Sequence, residues 1–301
     1  MKKIVIAAAN GFIGNHLCDY FSKEYEVVGL VRRPMKSRSS IRYVQWDGKH
    51  LDEWQSELEG AEAVINLAGK SVNCRHTDEN KKGILESRLN STNAIGQAVD
   101  LCKDKPKIWL NASGASIYAF DKNEISTEKS EAYANSFIAE VSKQWEDAFY
   151  AFTYADVRQV ALRTTVVLGI EDGAFPVVNR LAKMWLGGKQ GSGKQFMSWI
   201  HIEDFVLAVE HLINSTVSGH VNMASPNPVS NAEFMRTIRK ANGRSFGLPT
   251  PEFALKIGAR FMNTEASLIL DDMFVAPQVL VDSGYQFKFP TLESAIKNLV
   301  N

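Results

Sequence analysis

Ile4-Val5-Ile6-Ala7-Ala8-Ala9-Asn10-Gly11-Phe12-Ile13-Gly14 is the stretch that decides how this 301-residue chain folds. It begins as a short apolar run rich in β-branched residues, the composition of a buried strand. The run stops at Asn10-Gly11 and passes directly into His16-Leu17-Cys18-Asp19-Tyr20-Phe21, which reads as a helix. A helix N-terminus placed at such a turn offers free N–H groups and the positive end of its dipole, which together suit a pyrophosphate. Gly11 lets the backbone approach the phosphates, and Gly14 lets the helix lie close on the strand. Asn10, Gly11, Phe12, Ile13 and Gly14 are therefore expected to hold a dinucleotide. The glycines alone are weak evidence; a strand before, a helix after and a second strand at the right distance make the signal specific.

Working outward, apolar runs like that at 4–8 recur at 27–31, 63–67, 108–112 and 159–163, with helical patterns between them at 84–101 and 137–150. Strands without polar alternation, separated by helices, imply a parallel sheet covered on both faces. The fold class expected is α/β, a doubly wound parallel-sheet Rossmann fold with a smaller, mostly helical C-terminal domain on the substrate side. Ligands in such sheets bind beyond the carboxyl ends of the strands, so residues 7–14, Arg32-Arg33, Ala68-Gly69 and residues 113–118 should converge on one crevice. After Gly169 the alternation breaks down. A helix over 175–186 leads into Gly187-Gly188-Lys189-Gln190-Gly191-Ser192-Gly193, read as a flexible substrate lid, and further helices are expected at 231–242, 251–261, 265–274 and 292–300. The proposed division is residues 1–169 for the nucleotide and 170–301 for the substrate, with segments near 195–225 returning to the first domain.

The second strand ends Leu30-Val31-Arg32-Arg33-Pro34, where an NAD-specific site would place a carboxylate for the ribose hydroxyls. Arg32 and Arg33 stand there instead. They suit a 2′-phosphate, which makes NADP the expected cofactor, or they are solvated surface charges. Lys plus Arg and Asp plus Glu both total 34, so no net positive field exists to attract nucleic acid. Cys18, Cys74 and Cys102 lack metal-ligand or disulfide-scaffold spacing, which fits a reducing cytoplasm. The apolar start is interrupted too soon for a signal peptide, and no run is long enough for a membrane span. The near P-loop Gly188-Lys189-Gln190-Gly191-Ser192-Gly193-Lys194-Gln195 has Gln195 where Ser or Thr is required and follows a helix, so ATP hydrolysis is not expected.

With the turn, Asn66-Leu67-Ala68-Gly69 and Leu162-Arg163-Thr164-Thr165-Val166-Val167-Leu168-Gly169, the chain resembles the extended short-chain dehydrogenase/reductase superfamily. Three more segments narrow the match: 196–204 (Phe-Met-Ser-Trp-Ile-His-Ile-Glu-Asp), 222–229 and 285–292 resemble an atypical epimerase-like family with a distinctive C-terminal domain. The resemblance spans essentially the whole chain. It implies NADP binding and epimerase- or oxidoreductase-like activity on a small or nucleotide-linked substrate. It also places Gly11 and Gly14 at the pyrophosphate, Arg32 at the adenosine phosphate and Leu67-Ala68-Gly69 along the adenine and ribose. Arg88 and Arg163 are implied as cofactor or substrate contacts, with a buried carboxylate as the alternative partner of either. By analogy with related folds, a homodimer would form through helices beside 84–101. Family members usually begin the turn with glycine; here it is Ala8.

Short-chain dehydrogenases normally use a Tyr and a Lys four residues apart on one helix face, the lysine lowering the tyrosine pKa. Alignment on Trp145-Glu146 puts Ile138 and Ser142 at those positions, and neither can do that work. The Tyr118-x-x-x-Lys122 spacing enters a polar loop and is a poor substitute. Ser113 and Tyr118, with Ser116, lie at the carboxyl end of the fifth strand and are the catalytic candidates; alternatively their hydroxyls cap strand and turn. His201 is read as structural rather than catalytic, and His76 as a residue of the pocket mouth. Two functions stay open: an NADP-dependent epimerase-like oxidoreductase with an unconventional proton relay, or a catalytically silent NADPH-binding sensor or interaction protein.

Overall fold

The computed structural model describes residues 1–38 and 40–300. The alternating strands and helices assemble as a seven-stranded parallel sheet. In chain order its strands are β1 (Lys3–Ala7), β2 (Glu26–Val31), β3 (Ile41–Gln45), β4 (Ala63–Asn66), β5 (Ile108–Gly114) and β6 (Arg158–Thr164). Short β7 (Val166–Leu168), β8 (Phe196–Met197) and β9 (Trp199–His201) lie outside it, β10 (Gly219–Met223) completes it, and β11 (Val229–Ser230) pairs with β8. The spatial order is β3-β2-β1-β4-β5-β6-β10, which reverses direction between β1 and β4 and so opens a crevice at their carboxyl ends. Strands β3 and β10 escape the sequence pattern because they are the two edges, where Arg42, Gln45, His220 and Asn222 interrupt the apolar run.

Both faces of the sheet are covered, which is why its central strands are almost uniformly apolar. Ile4, Ile6, Ile65 and Leu162 pack with Leu17 and Phe21 of α1 (Phe12–Phe21). On the opposite face, Val5, Val28, Val64 and Trp109 meet Ile95 and Val99 of α2 (Asp78–Leu101) and Phe149 of α3 (Phe137–Tyr150). A second core gathers α4 (Ala174–Lys183), α6 (Asn231–Ala241) and α10 (Leu292–Val300) around Trp199, Phe234, Ile238 and Ile296. Helix α5 (Ile202–Asn214) belongs to the first face, and after α7 (Glu252–Phe261) and α8 (Ser267–Leu270) the short α9 (Gln278–Asp282) packs Leu280 on that same face.

Two clasps join the halves. Asp204, in the first turn of α5 and 1% exposed, accepts hydrogen bonds from the N–H groups of Lys288 (2.7 Å) and Phe289 (2.9 Å) and from the Tyr285 hydroxyl (3.0 Å). The Ser198 hydroxyl lies 3.0 Å from the carbonyls of Met273 and Val275 and accepts 2.8 Å from the Val275 N–H. That second clasp corrects the helix expected at 265–274. Only α8 forms there, because Asp272 and Met273 spend their polar groups on Phe196 and the chain runs on extended past Ser198.

The glycine-rich segment 187–193 also differs from the flexible lid expected of it. Gly188 donates to the Leu248 carbonyl (3.0 Å), Gly191 to that of Thr250 (2.8 Å), and Thr250 back to Lys189 (3.0 Å). Buried Asn231 then locks Gln190 from both sides, accepting from its N–H at 2.8 Å and donating to its side-chain oxygen at 3.1 Å. Composition suggested freedom, but these distant partners remove it.

At the opening turn, Ala8 adopts φ +58°, a left-handed conformation unusual for a residue with a side chain. Its carbonyl accepts from Gly11 N–H at 2.9 Å and also abuts α1: a Cβ on Gly14 would stand 2.3 Å from that oxygen, so only glycine fits there. Ala8→Gly should therefore raise unfolding free energy by about 0.5–1 kcal/mol in a denaturant titration, the relief of a left-handed residue less the added freedom of the unfolded chain. A loss of stability would show that the methyl group packs productively.

Candidate functional site

At the crevice, α1 begins without a side-chain cap on Gly11 and without an acidic residue in its first turn. Helices α2, α3, α5 and α6 are each capped by a side chain, from Thr77, Ser136, His201 and Ser230, whereas α4, α7, α8 and α9 share the uncapped start of α1. An uncapped helix start, with Asn10 and Gly11 exposed, leaves donors and dipole for an anion. Phe12 turns its ring beneath Gly169 and edge-on to His16, so its side chain is structural and its backbone is what faces the turn. Arg32 and Arg33 project from the carboxyl end of β2, exposed, with no carboxylate within salt-bridge distance among the described residues. Leu67 and Ala68 are half-buried and Gly69 exposed at the end of β4, held by Asn66, whose side-chain oxygen accepts from the Ala68 N–H at 3.1 Å.

The residues at the end of β5 belong to one buried network. Ser113 donates to Glu146 Oε1 at 2.6 Å. The Arg163 guanidinium grips the same carboxylate twice, Nε to Oε1 at 2.8 Å and Nη2 to Oε2 at 2.7 Å, and its Nη1 donates to the Tyr118 hydroxyl at 2.8 Å. Tyr118 in turn donates to the Asn222 side-chain oxygen at 2.9 Å. Glu146 reaches this position because α3 turns Ala139, Ser142, Trp145, Glu146 and Phe149 inward at helical spacing. His220 Nδ1 lies 3.4 Å from Glu146 Oε2 at the partly open end of the network.

Arg163 is 1% exposed and all three of its nitrogens are used, so of the two partners considered for it the buried carboxylate is the one it has. Burial would push its guanidinium down, but the Glu146 hydrogen bonds and charge hold it further up. Burial likewise pushes the Tyr118 phenol up, against the pull of Arg163. Tyr118 is thus held protonated, as a hydrogen-bond donor. Ser116 is half-buried, and Ser142, at the position of the missing lysine, donates to the Ile138 carbonyl of its own helix at 3.0 Å.

Arg88 has the opposite circumstances. Its Nη1 donates to the carbonyls of Lys70 and Ile84, both at 2.9 Å, and its guanidinium lies 4.9 Å over the Trp145 ring, without a carboxylate. His201 caps α5, its Nδ1 accepting from the Glu203 N–H at 3.1 Å, and burial lowers its pKa below the ordinary value. His76 packs on Phe137, and its backbone N–H donates to Glu265 at 2.9 Å. No metal-binding cluster occurs among the described residues, and no helix there is long and apolar enough to cross a membrane.

Residues 4–224 match the model of the NAD dependent epimerase/dehydratase family. The chain belongs to that family. Residues 250–299 match a domain of unknown function, DUF1731. Epimerase family protein YfhF of Bacillus subtilis is 32% identical over 300 residues, 99% of this chain and 97% of that protein. The human epimerase family protein SDR39U1 (isoform 2), solved with NADPH, superposes with a TM-score of 0.88 at 29% identity, covering 99% of each chain. A nucleoside-diphosphate sugar epimerase of Corynebacterium glutamicum gives 0.78 at 27% identity, over 99% of this chain and 58% of that one.

Family membership and fold agree with the sequence reading, whereas Glu146 had served there only to align a helix. Its signal was available: a carboxylate on the face of α3 that also carries Trp145 and Phe149 must be buried and paired. Glu146→Gln, which keeps the shape but leaves Arg163 uncompensated, should cost roughly 3–5 kcal/mol in urea unfolding. Ser113→Ala should cost clearly less, because the ion pair survives it; equal losses would refute the dominance of that pair.

Proposed function

We propose that the chain is an NADP(H)-dependent, epimerase-like oxidoreductase that acts on a hydroxyl or carbonyl of a small substrate, a nucleotide-linked sugar being the favoured class. The observation that carries this reading is the 2.6 Å hydrogen bond from Ser113 to Glu146 at the carboxyl end of β5. It couples a hydroxyl group to a proton acceptor where the usual Tyr–Lys pair is missing. Support for the cofactor comes from the uncapped start of α1, the exposed Arg32 and Arg33, and the NADPH of the human relative. Support for the substrate class comes from the Corynebacterium relative.

In this reading Asn10, Gly11, Phe12, Ile13 and Gly14 offer backbone donors to the pyrophosphate, Arg32 and Arg33 bind the 2′-phosphate, and Leu67, Ala68 and Gly69 flank the adenine and ribose. Bound NADP(H) supplies hydride transfer. During oxidation of a substrate hydroxyl, Ser113 takes its proton as Ser113 gives its own to Glu146; reduction reverses both transfers. Arg163 stabilises the carboxylate when it is charged and orients Tyr118, whose phenol donates a hydrogen bond. Residues 1–169 supply the nucleotide side and 170–301 the substrate side. A reducing cytoplasm suits the three free cysteines, and a homodimer beside α2 is proposed by analogy.

A second reading, a catalytically silent NADPH-binding protein, has its own support. Ser142 is tied to its own helix, and Tyr118 is buried and held protonated, so neither restores the missing acid–base pair. A panel of sugar nucleotides, ketones and quinones, scanned for NADPH absorbance loss, separates the two. The enzyme reading expects turnover that falls at least 100-fold in Ser113→Ala and several-fold in Tyr118→Phe. Tight NADPH binding without turnover on any member favours the silent reading.

The cofactor assignment has a separate test. Replacing Arg32 and Arg33 together by Ala should weaken NADPH by 10-fold or more while changing NADH affinity little. Equal losses for the two nucleotides would remove the arginines from the 2′-phosphate.

A further inference from the structure

We propose that the outer surface formed by the end of α4, the segment 244–250 and α7 docks on an anionic lipid bilayer, lying on it without crossing it. Apolar side chains turned to solvent carry the first half of the argument. On α7, Leu255 and Ala259 turn inward, so Phe253, Ile257 and Phe261, spaced one turn apart, stand along the opposite face at 68%, 54% and 87% exposure. That reverses the usual amphipathic helix, whose apolar stripe is the buried one. Just before α7, the Leu248 N–H donates to the Trp185 carbonyl at 2.8 Å, and both side chains are exposed. Trp185 follows the last turn of α4 at φ +65°, the left-handed position that favours glycine. The other five of the six tryptophans are buried, so this strained residue alone keeps its indole outside the core.

Charge identifies the occupant. The whole chain is neutral, yet residues 174–189 and 236–262 together hold nine Lys and Arg against one acid, Glu252. Glu252 is spent on Lys256 at 2.7 Å, and Arg236 reaches Glu233 only at 4.0 Å. Arg239, Lys240, Arg244 and Arg260 have no carboxylate within salt-bridge distance among the described residues. The Arg244 guanidinium lies 4.8 Å over the Trp185 ring, and its Nε, like that of Arg239, is buried without a partner. A second copy meeting this surface across a two-fold axis would set like charge against like. An anionic bilayer supplies the opposite charge and accepts protruding side chains without a matching groove. A tryptophan beside arginine is also the pairing that settles at the headgroup level. No helix among the described residues is long and apolar enough to cross a membrane, which limits the contact to the surface.

The full chain is sedimented with vesicles of phosphatidylcholine alone, and of phosphatidylcholine and phosphatidylglycerol in equal parts. It should bind the second about 10-fold more tightly or better, and be released at about 0.5 M NaCl. Tryptophan emission should shift to the blue on binding, a shift absent in Trp185→Phe because the other indoles are already buried. Phe253→Ser combined with Ile257→Ser should weaken binding by about 10-fold through lost apolar insertion. Lys256→Gln combined with Arg260→Gln should weaken it by about 10-fold through lost charge. All four side chains are exposed, so both variants should keep the wild-type circular dichroism spectrum, and either one that keeps it suffices for the comparison. No sedimentation with the anionic vesicles, equal binding to the two compositions, or wild-type binding by a folded variant would overturn the proposal. So would a dimer in light scattering that Phe253→Ser with Ile257→Ser splits, in a chain that ignores the vesicles; that result would give the surface to a second copy.

Discussion

The ion pair between Glu146 and Arg163 is the constraint on which the geometry of the crevice depends. It ties α3 to β6, and through Ser113, Tyr118 and Asn222 it reaches β5, the turn after it and β10. Two charges at 8% and 1% side-chain exposure gain little net stability from each other, because most of their attraction is spent on desolvation. What the pair fixes is direction. A bidentate guanidinium allows few carboxylate orientations, so the remaining acceptor capacity of Glu146 is aimed at Ser113.

At the two positions where the usual tyrosine and lysine would stand, α3 carries Ile138, half-buried, and Ser142, which donates to the carbonyl of Ile138. The buried ionisable groups of this region stand one turn further along α3, at Glu146, and on β6, at Arg163. A hydroxyl at the end of β5 then meets a carboxylate rather than a phenol backed by an ammonium.

Most of the sheet could be read from the sequence because central parallel strands are buried on both faces and their apolar runs leave no ambiguity of pattern. The edges could not, since β3 mixes polar with apolar residues at an exposed edge and β10 carries Asn222, buried and paired with Tyr118. Segment 265–274 and the 187–193 loop depart from their local pattern for a shared reason: composition favours helix and flexibility, while partners 40 to 80 residues away, Ser198 and Asn231 among them, determine the outcome. In the site, the opening turn and the lone arginines announce themselves by residue type. The pairing of Arg163 with Glu146 does not, because it requires the register of β6 against β5 and the rotation of α3, which only packing settles.

The Asp204 clasp bears on how the chain is made. Its partners lie 81 to 85 residues further along the chain, so the carboxylate is without them until Tyr285 to Phe289 have left the ribosome. A long loop of this size adds little to the equilibrium cost of closure but delays the contact itself. The sheet and the helices packed on it therefore reach their finished form only after the last hundred residues have been synthesised and docked, and an acidic group buried in the mature protein spends translation in search of its donors.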